Sequence, residues 1–231
     1  MTEELANKDE ALGNLKRLIT EMAISVREMV ALAIGGLREK DPSALARVQE
    51  LEKNVNASEI AIDDAAVKFI ALFQPSAGDL RAAMMIMRMN SNLERMGDHA
   101  YNIAREAEFL ISHPSVKPLV DIPRMADIVM GMMDDTMAAL RKGDPEIARA
   151  VCRKDDEVDA LRDQVIRELI LFMMSDPGTI ERAMKLIQVA QNLERIGDLA
   201  TNLGEDIVYM TTGKIIKHHI EEEERKEGKT P

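Results

Sequence analysis

The residues from Asn92 to Asn102 read NLERMGDHAYN, and one hundred positions later the residues from Asn192 to Asn202 read NLERIGDLATN. Eight of the eleven positions are identical, and most of the identical positions carry polar side chains. A repeated core alone would require only that apolar positions recur. The repetition therefore predicts two related domains that use the same polar residues for a chemical purpose.

The rest of the chain repeats on the same plan. Asp41-Pro42 has a counterpart in Asp144-Pro145, and each pair is typical of a helix start with an Asp cap and a Pro in the first turn. The apolar spacing and these breaks predict six helices, at roughly 9–39, 42–72, 80–111, 124–141, 145–174 and 179–210.

Composition supports a helical fold. Aromatic residues make up 3% of the chain, and the apolar content comes mainly from Ala, Leu, Ile and 17 Met, which favour helices over strands. We predict an all-α protein of two tandem, pseudo-symmetric three-helix bundles. The predicted divisions are a first bundle at 1–112, a linker at 113–123, a second bundle at 124–215 and a charged tail at 216–231.

Charge and segment composition narrow the functional class. The formal net charge of −11 disfavours direct binding to nucleic acid, because phosphate backbones are also negative. Cys152 is the single cysteine, which fits a reducing compartment. The apolar run from Leu169 to Met174 is too short to span a membrane, and the first residues do not resemble a signal peptide. We expect a cytoplasmic protein.

Polar residues at four-residue spacing form one stripe on the third helix, from Glu94 to Glu106, and another on the sixth, from Glu194 to Asp206. Residues four apart lie along one side of a helix, and the intervening apolar residues place both stripes on the side facing water. Carboxylates at this spacing repel each other, and a bound cation would convert the repulsion into coordination. The candidate metal ligands in the two stripes are Glu94, Asp98, Asn102, Glu194, Asp198 and Asn202.

The preceding helix of each bundle supplies further candidates. Asp155 and Asp159 lie four apart on the flank of the fifth helix, and their counterparts on the second helix are Glu52 and Asn56. Asn56 is neutral, so the first site is expected to carry less charge than the second.

Two other acids on the second helix could compensate for that difference. Glu59 and Asp63 lie nearby, whereas their counterparts in the second half are Arg162 and Ile166. The sequence thus leaves open which site is the more acidic.

All of these candidate ligands are oxygen donors, which suit hard cations such as Fe(III), Mn, Mg or Ca. The chain has no Glu-x-x-His pair, no phosphate-binding glycine loop and no nucleophile paired with a base, so we predict that it is not an enzyme. A carboxylate-based metal store or metalloenzyme is one alternative. A purely structural helical bundle, in which the stripes are only solvated surface, is another.

The doubled Leu-Glu-Arg-x-Gly-Asp motif resembles the PhoU family of phosphate-signalling regulators over nearly the whole chain. The segment QPSAGDLR at 74–81 and the pairs Val55-Asn56 and Val158-Asp159 carry the same resemblance. It implies two similar three-helix bundles with multinuclear metal clusters on their surfaces. Carried over by position, the acidic metal motifs are Glu94, Asp98, Glu194, Asp198, Asp155 and Asp159, while Glu52 with Asn56 departs from an acidic pair.

The resemblance also implies a function. Such a protein acts in the cytoplasm as a negative regulator of phosphate uptake and of the phosphate-starvation response. Its implied partners are the phosphate ABC transporter ATPase and the phosphate sensor histidine kinase, and it would reach the membrane only through them. We further expect a homodimer and a bound metal, with iron as the first candidate and manganese, magnesium and zinc as alternatives.

Overall fold

The computed structural model of this protein describes residues 2–216, with side chains from residue 7 onward. Throughout this range the chain forms helices and their connections, which confirms the all-α fold class. The α-helices are α1 Thr2–Glu39, α2 Pro42–Phe73, α3 Ala77–Ile111, α4 Asp121–Lys142, α5 Pro145–Cys152, α6 Asp155–Ser175 and α7 Ile180–Thr212. None of these helices combines the length and the apolar content that a membrane span requires. The predicted tail lies outside the described residues except for Ile216.

The fifth predicted helix is present but divided into α5 and α6. Arg153 and Lys154 interrupt it, and the Lys154 amide donates a hydrogen bond of 3.0 Å to the Val151 carbonyl. The three acidic residues at 155–157 occupy the first turn of α6. Negative charge stabilises a helix N-terminus, so this run favours a new start after Lys154.

The two Asp-Pro pairs cap their helices as predicted. The side chain of Asp41 accepts a hydrogen bond of 2.8 Å from the Ser43 amide, and that of Asp144 accepts one of 2.9 Å from the Glu146 amide. Pro42 and Pro145 are the first residues of α2 and α5. Amides in the first turn of a helix have no acceptor within the helix, so a proline, which lacks the amide proton, breaks no helical hydrogen bond there. The matching caps start corresponding helices in the two halves.

The helices form two bundles that pack side by side. Helices α1 to α3 pack together, α4 to α7 form the second bundle, and α3 and α1 contact α7 and α4 across the boundary. The predicted inward residues Leu93, Met96, Leu193 and Ile196 are fully buried. They belong to one continuous apolar core that spans both bundles, so each bundle covers part of the other.

The contact between α3 and α7, which we call the seam, is antiparallel. Residues early in α3 meet residues late in α7, and the reverse holds at the other end. The contacts that show this are Arg88 with Asp206 at 3.0 Å, His99 Nδ1 with Asn192 Oδ1 at 2.9 Å, and Glu106 with Lys185 at 2.7 Å. The two repeated motifs therefore lie near the middle of the seam and run in opposite directions.

The prediction that the polar stripes face water along their whole length is wrong at their C-terminal ends. Asp206 is 1% exposed, and Glu106 pairs with Lys185 across the seam. Residues four apart advance by about 40° around a helix, so twelve residues turn a stripe by about 120°. A stripe that begins beside α2 or α6 therefore ends against the other long helix.

Candidate functional site

Five carboxylates lie together on one surface of α2 and α3, which we call the first acidic face. They are Glu52, Glu59, Asp63, Glu94 and Asp98. Partial burial raises the pKa of Glu94, and the neighbouring Asp98, Glu59 and Glu52 raise it further. Partial burial likewise raises the pKa of Glu59, with additional repulsion from Asp63 and Asp98. Glu59 thus lies among the carboxylates of the motif, and Asp63 lies beside Glu59.

Two asparagine amides support this face. Asn56 donates a hydrogen bond of 2.8 Å to Glu52. Asn90 donates bonds of 2.9 Å to the side chain of Asp63 and to the main-chain carbonyl of Glu59. Asn90 is completely buried, and its Oδ1 has no hydrogen-bond partner in the structure. Sequence reasoning missed Asn90, although it precedes Glu94 by four residues and so continues the stripe into the core.

Four carboxylates on α6 and α7 form the second acidic face: Asp155, Asp159, Glu194 and Asp198. Burial raises the pKa of Asp155 from 3.8 to about 6, and repulsion from Asp198 and Asp159 adds to the effect. Burial also raises the pKa of Glu194 and of Asp198, again with contributions from the other acids of the face. Burial and mutual repulsion therefore disfavour the ionised form of Asp155, Glu194 and Asp198.

Arg162 lies within the second acidic face. Its guanidinium contacts Glu194 through Nη1, and the same nitrogen lies 3.0 Å from Asp159 Oδ1. Its Nη2 lies 2.9 Å from Asp163 Oδ1. In the described part of the chain, none of the five acids of the first face forms an ion pair. The two faces therefore differ in how their negative charge is compensated.

The repeated glycines bring the helices of each bundle close together. A Cβ at Gly97 would lie 3.3 Å from Val55 Cγ1, and a Cβ at Gly197 would lie 3.6 Å from Val158 Cγ1. The same atom at Gly197 would lie 3.6 Å from a carboxylate oxygen of Asp155. Small residues at these positions thus hold α3 against α2 and α7 against α6, and so place the carboxylates of neighbouring helices side by side.

The remaining predicted ligands, Asn102 and Asn202, make none of the contacts described for the two acidic faces. Asn102 is exposed on α3. Asn202 lines an open cavity of about 270 Å³ on the seam with Arg88, Ser91 and Asn92. The rotation of the stripe that buries Asp206 also carries these positions toward the seam.

Within each face the carboxylates are near one another, but they do not converge on a single point that an ion could occupy. Among the described side chains, no three Asp, Glu, His or Cys residues are arranged to hold a metal ion. The donor set itself, which consists of carboxylate and amide oxygens, suits hard cations. Coordination would require the side chains to rotate inward and, in the second face, Arg162 to move. The predicted metal site and the identity of its metal therefore stay predictions.

Both faces are open surfaces rather than enclosed pockets. A cavity of about 470 Å³ lies elsewhere, between the ends of α1 and α3 and the connection to α4. Its lining is largely apolar, with Leu110, Ile111, Val116 and Leu119, and includes none of the predicted ligands. The carboxylates are thus accessible to a large partner as well as to an ion.

The chain matches the model of the PhoU domain twice, over residues 19–107 and 122–207. It is similar to the phosphate-specific transport system accessory protein PhoU homolog of Aquifex aeolicus, with 39% identity over 91% of this chain and 96% of that protein. The PhoU protein of Escherichia coli is 33% identical over 90% of this chain and 86% of its own length.

Solved structures show the same fold. The crystal structure of PhoU from Pseudomonas aeruginosa superposes with a TM-score of 0.86 at 30% identity, covering 89% of this chain and 99% of that one. The PhoU structure from Streptococcus pneumoniae gives a TM-score of 0.83 at 25% identity, covering 91% of this chain and 99% of that one. The repeated motif, the paired bundles and these matches together show that the chain belongs to the PhoU family.

Proposed function

We propose that this protein is a cytoplasmic regulatory accessory protein of phosphate-specific transport. In this role it represses phosphate uptake and the phosphate-starvation response when phosphate is plentiful. Its partners are the ATPase of the phosphate ABC transporter and a phosphate sensor histidine kinase. Its relatives from Aquifex aeolicus and Escherichia coli are named accessory proteins of phosphate-specific transport systems, which supports this role.

The observation that carries the proposal is the acidic face that recurs in both bundles. Each face is built by the same motif on a long helix and by acids on the helix before it. Glu94 and Glu194 are half-buried where these helices meet, and burial together with neighbouring acids of the face raises the pKa of each. Repulsion between these carboxylates destabilises the folded protein at two equivalent places, and binding of a cation or a cationic partner would relieve it.

A hard cation is the proposed ligand of these faces. Iron is the first candidate, and manganese, magnesium and zinc are alternatives. In the first face Glu52, Glu94 and Asp98 would hold it with Asn56. In the second face Asp155, Asp159, Glu194 and Asp198 would do so once Arg162 has moved away from Asp159 and Glu194. Bound metal would neutralise each face and so change which charged protein surfaces can approach it.

Exposed apolar side chains at matching positions support an adaptor role. Leu80 and Met84 at the start of α3 are partly exposed, and so are Ile180 and Met184, one hundred residues later. Exposed apolar side chains that recur in this way are suited to contacts with other proteins. The proposal includes a homodimer, which light scattering on purified protein would test.

The central experiment compares the wild type with Asp98→Ala/Asp198→Ala. A matched control is Glu28→Ala/Asp127→Ala, which removes two exposed acids from other helices. Metal content is measured by elemental analysis of untagged protein purified without chelator, and helicity by circular dichroism. Repression is measured as phosphate uptake and starvation-reporter expression in cells that lack their own copy.

We expect the Asp98/Asp198 variant to stay helical, to lose its metal and to lose repression, while the control keeps all three properties. A variant that retained full metal content and full repression would show that these faces are not the site. Loss of repression without any metal in the wild type would instead assign regulation to direct protein contacts.

A further inference from the structure

The second acidic face contains its own cation. Arg162 projects from α6 between Asp159 of the same helix and Glu194 of α7, and it contacts both carboxylates. Its side chain is 23% exposed, so the guanidinium is held within the face rather than extended into water. A guanidinium that contacts carboxylates of two helices compensates the negative charge that a shared metal ion would otherwise neutralise.

The equivalent place in the first bundle carries the opposite charge. Asp144-Pro145 and Val158 follow Asp41-Pro42 and Val55 by 103 residues, and the same offset relates Arg162 to Glu59. Glu59 belongs to the first acidic face, where it raises the pKa of Glu94. One position of the repeat thus adds a negative charge to one face and a positive charge to the other.

Two neighbouring positions of the repeat enlarge the difference in charge and polarity between the two faces. Asp63 and the buried Asn90 are hydrogen-bonded in the first bundle, whereas their counterparts are Ile166 and Ala190. The first face therefore has five carboxylates and, within residues 7–216, no ion-paired cation. The second has four carboxylates and a guanidinium that contacts two of them and also Asp163 beside the face.

We propose that Arg162 is a built-in counter-cation, so that a divalent cation binds the first acidic face and is excluded from the second until Arg162 is displaced. A divalent ion brought next to the guanidinium would be repelled by it, and it would have to break the contacts with Glu194 and Asp159. This inference rests on the metal binding in the proposed function, and it makes the two faces unequal in metal binding although both carry the same motif on their long helix.

The test is Mn²⁺ binding to full-length, chelator-stripped protein, followed by the electron paramagnetic resonance signal of free Mn²⁺. The key variant is Arg162→Gln, and Arg162→Lys keeps the charge. The matched control is Arg167→Gln, which removes an exposed arginine from the same helix and changes the net charge equally. Asp98→Ala and Asp198→Ala, each alone, report which face holds the ion. Circular dichroism verifies that every variant is folded.

We expect the wild type to bind Mn²⁺ in a way that Asp98→Ala abolishes and Asp198→Ala does not affect. In Arg162→Gln we expect the second face to bind Mn²⁺ as well, with an affinity about 10- to 100-fold higher than the second face of the wild type has. Adding Asp198→Ala to Arg162→Gln should remove the gained sites. Arg162→Lys and Arg167→Gln should bind as the wild type does.

The inverse variant, Glu59→Arg, places an arginine in the first face and is expected to weaken the wild-type site. Equal Mn²⁺ binding by wild type and Arg162→Gln would overturn the inference while leaving metal binding, and hence the proposed function, in place. Binding by the wild type that depends equally on Asp98 and Asp198 would overturn it as well. Absence of Mn²⁺ binding in all variants would overturn both the inference and the proposed metal role.

Discussion

Arg88 of α3 and Asp206 of α7 form an ion pair of 3.0 Å across the seam, and the Asp206 side chain is almost fully buried. The pair joins the two bundles near one end of the seam, and the pair of Glu106 with Lys185 joins them near the other. A carboxylate buried at a domain contact is costly unless cationic and hydrogen-bonding groups compensate it. The seam is therefore sensitive to the loss of Arg88.

Replacing Arg88 with Ala is expected to lower the free energy of unfolding by about 1 to 3 kcal/mol. This is less than for a fully buried pair, because the Arg88 side chain is nearly half exposed. Urea unfolding monitored by circular dichroism measures the change. Arg105→Ala, an exposed arginine of the same helix, should change stability by about 0.5 kcal/mol or less. Equal midpoints for the two variants would contradict an energetic role for the pair.

A close approach of α5 to α7 gives a second stability prediction. A Cβ at Gly204 would lie 2.9 Å from the Ala148 carbonyl oxygen, which belongs to the backbone and cannot rotate away. We expect Gly204→Ala to destabilise the protein by about 1 to 3 kcal/mol despite the better helix propensity of Ala. Gly131→Ala in α4 is the control, since no atom lies within 4 Å of its added Cβ. That substitution should stabilise the protein by up to about 1 kcal/mol, and thermal unfolding of both variants tests the contrast.

The sequence alone predicts the parts of this fold that depend on local geometry. The Asp41 and Asp144 caps, the buried Leu93 and Leu193 and the two acidic motifs follow from helix-start chemistry and from the 3.6-residue period. These features involve residues within a few turns of each other. Local periodicity therefore accounts for the helices and for the side of each helix that faces its own bundle.

The features that the sequence does not predict depend on how separate helices pack. Burial of Asp206 requires the antiparallel seam, which no local pattern specifies. Arg162 and Asn90 are unremarkable in the sequence, and only the approach of α6 to α7 and of α2 to α3 gives them partners. The interruption at Arg153 and Lys154 has a local signal in the acidic run at 155–157, and that run outweighs the continuous helical pattern.

The second acidic face predicts a dependence of stability on pH. The pKa of Asp155 is about 6 in the folded protein against 3.8 in its ordinary state, so the folded state binds more protons between these values. Its contribution to stability is therefore present at low pH and is lost as the pH rises through about 6. We expect Asp155→Asn to flatten the fall in the free energy of unfolding between pH 4 and pH 7.

Urea unfolding of metal-free protein at several pH values measures this effect, which solvent screening at the partly exposed site limits to about 1 kcal/mol. Asp127→Asn, at an exposed position of α4, is the matched control and should keep the wild-type slope. An unchanged slope in Asp155→Asn would show that this carboxylate ionises normally in the folded protein.

The buried contact between Asn90 and Asp63 gives the last prediction, and the second bundle supplies its control. Asn90→Ala removes the donor from the Asp63 side chain and an additional donor from the Glu59 carbonyl, so we expect the free energy of unfolding to fall by about 1 to 3 kcal/mol. The equivalent residues in the second bundle are Ala190 and Ile166, which shows that an apolar pair fits this place in the fold. Asn90→Ala combined with Asp63→Ile should therefore recover part of the lost stability. A double-mutant cycle from urea unfolding measures the coupling, and strictly additive losses would mean that the hydrogen bond contributes nothing.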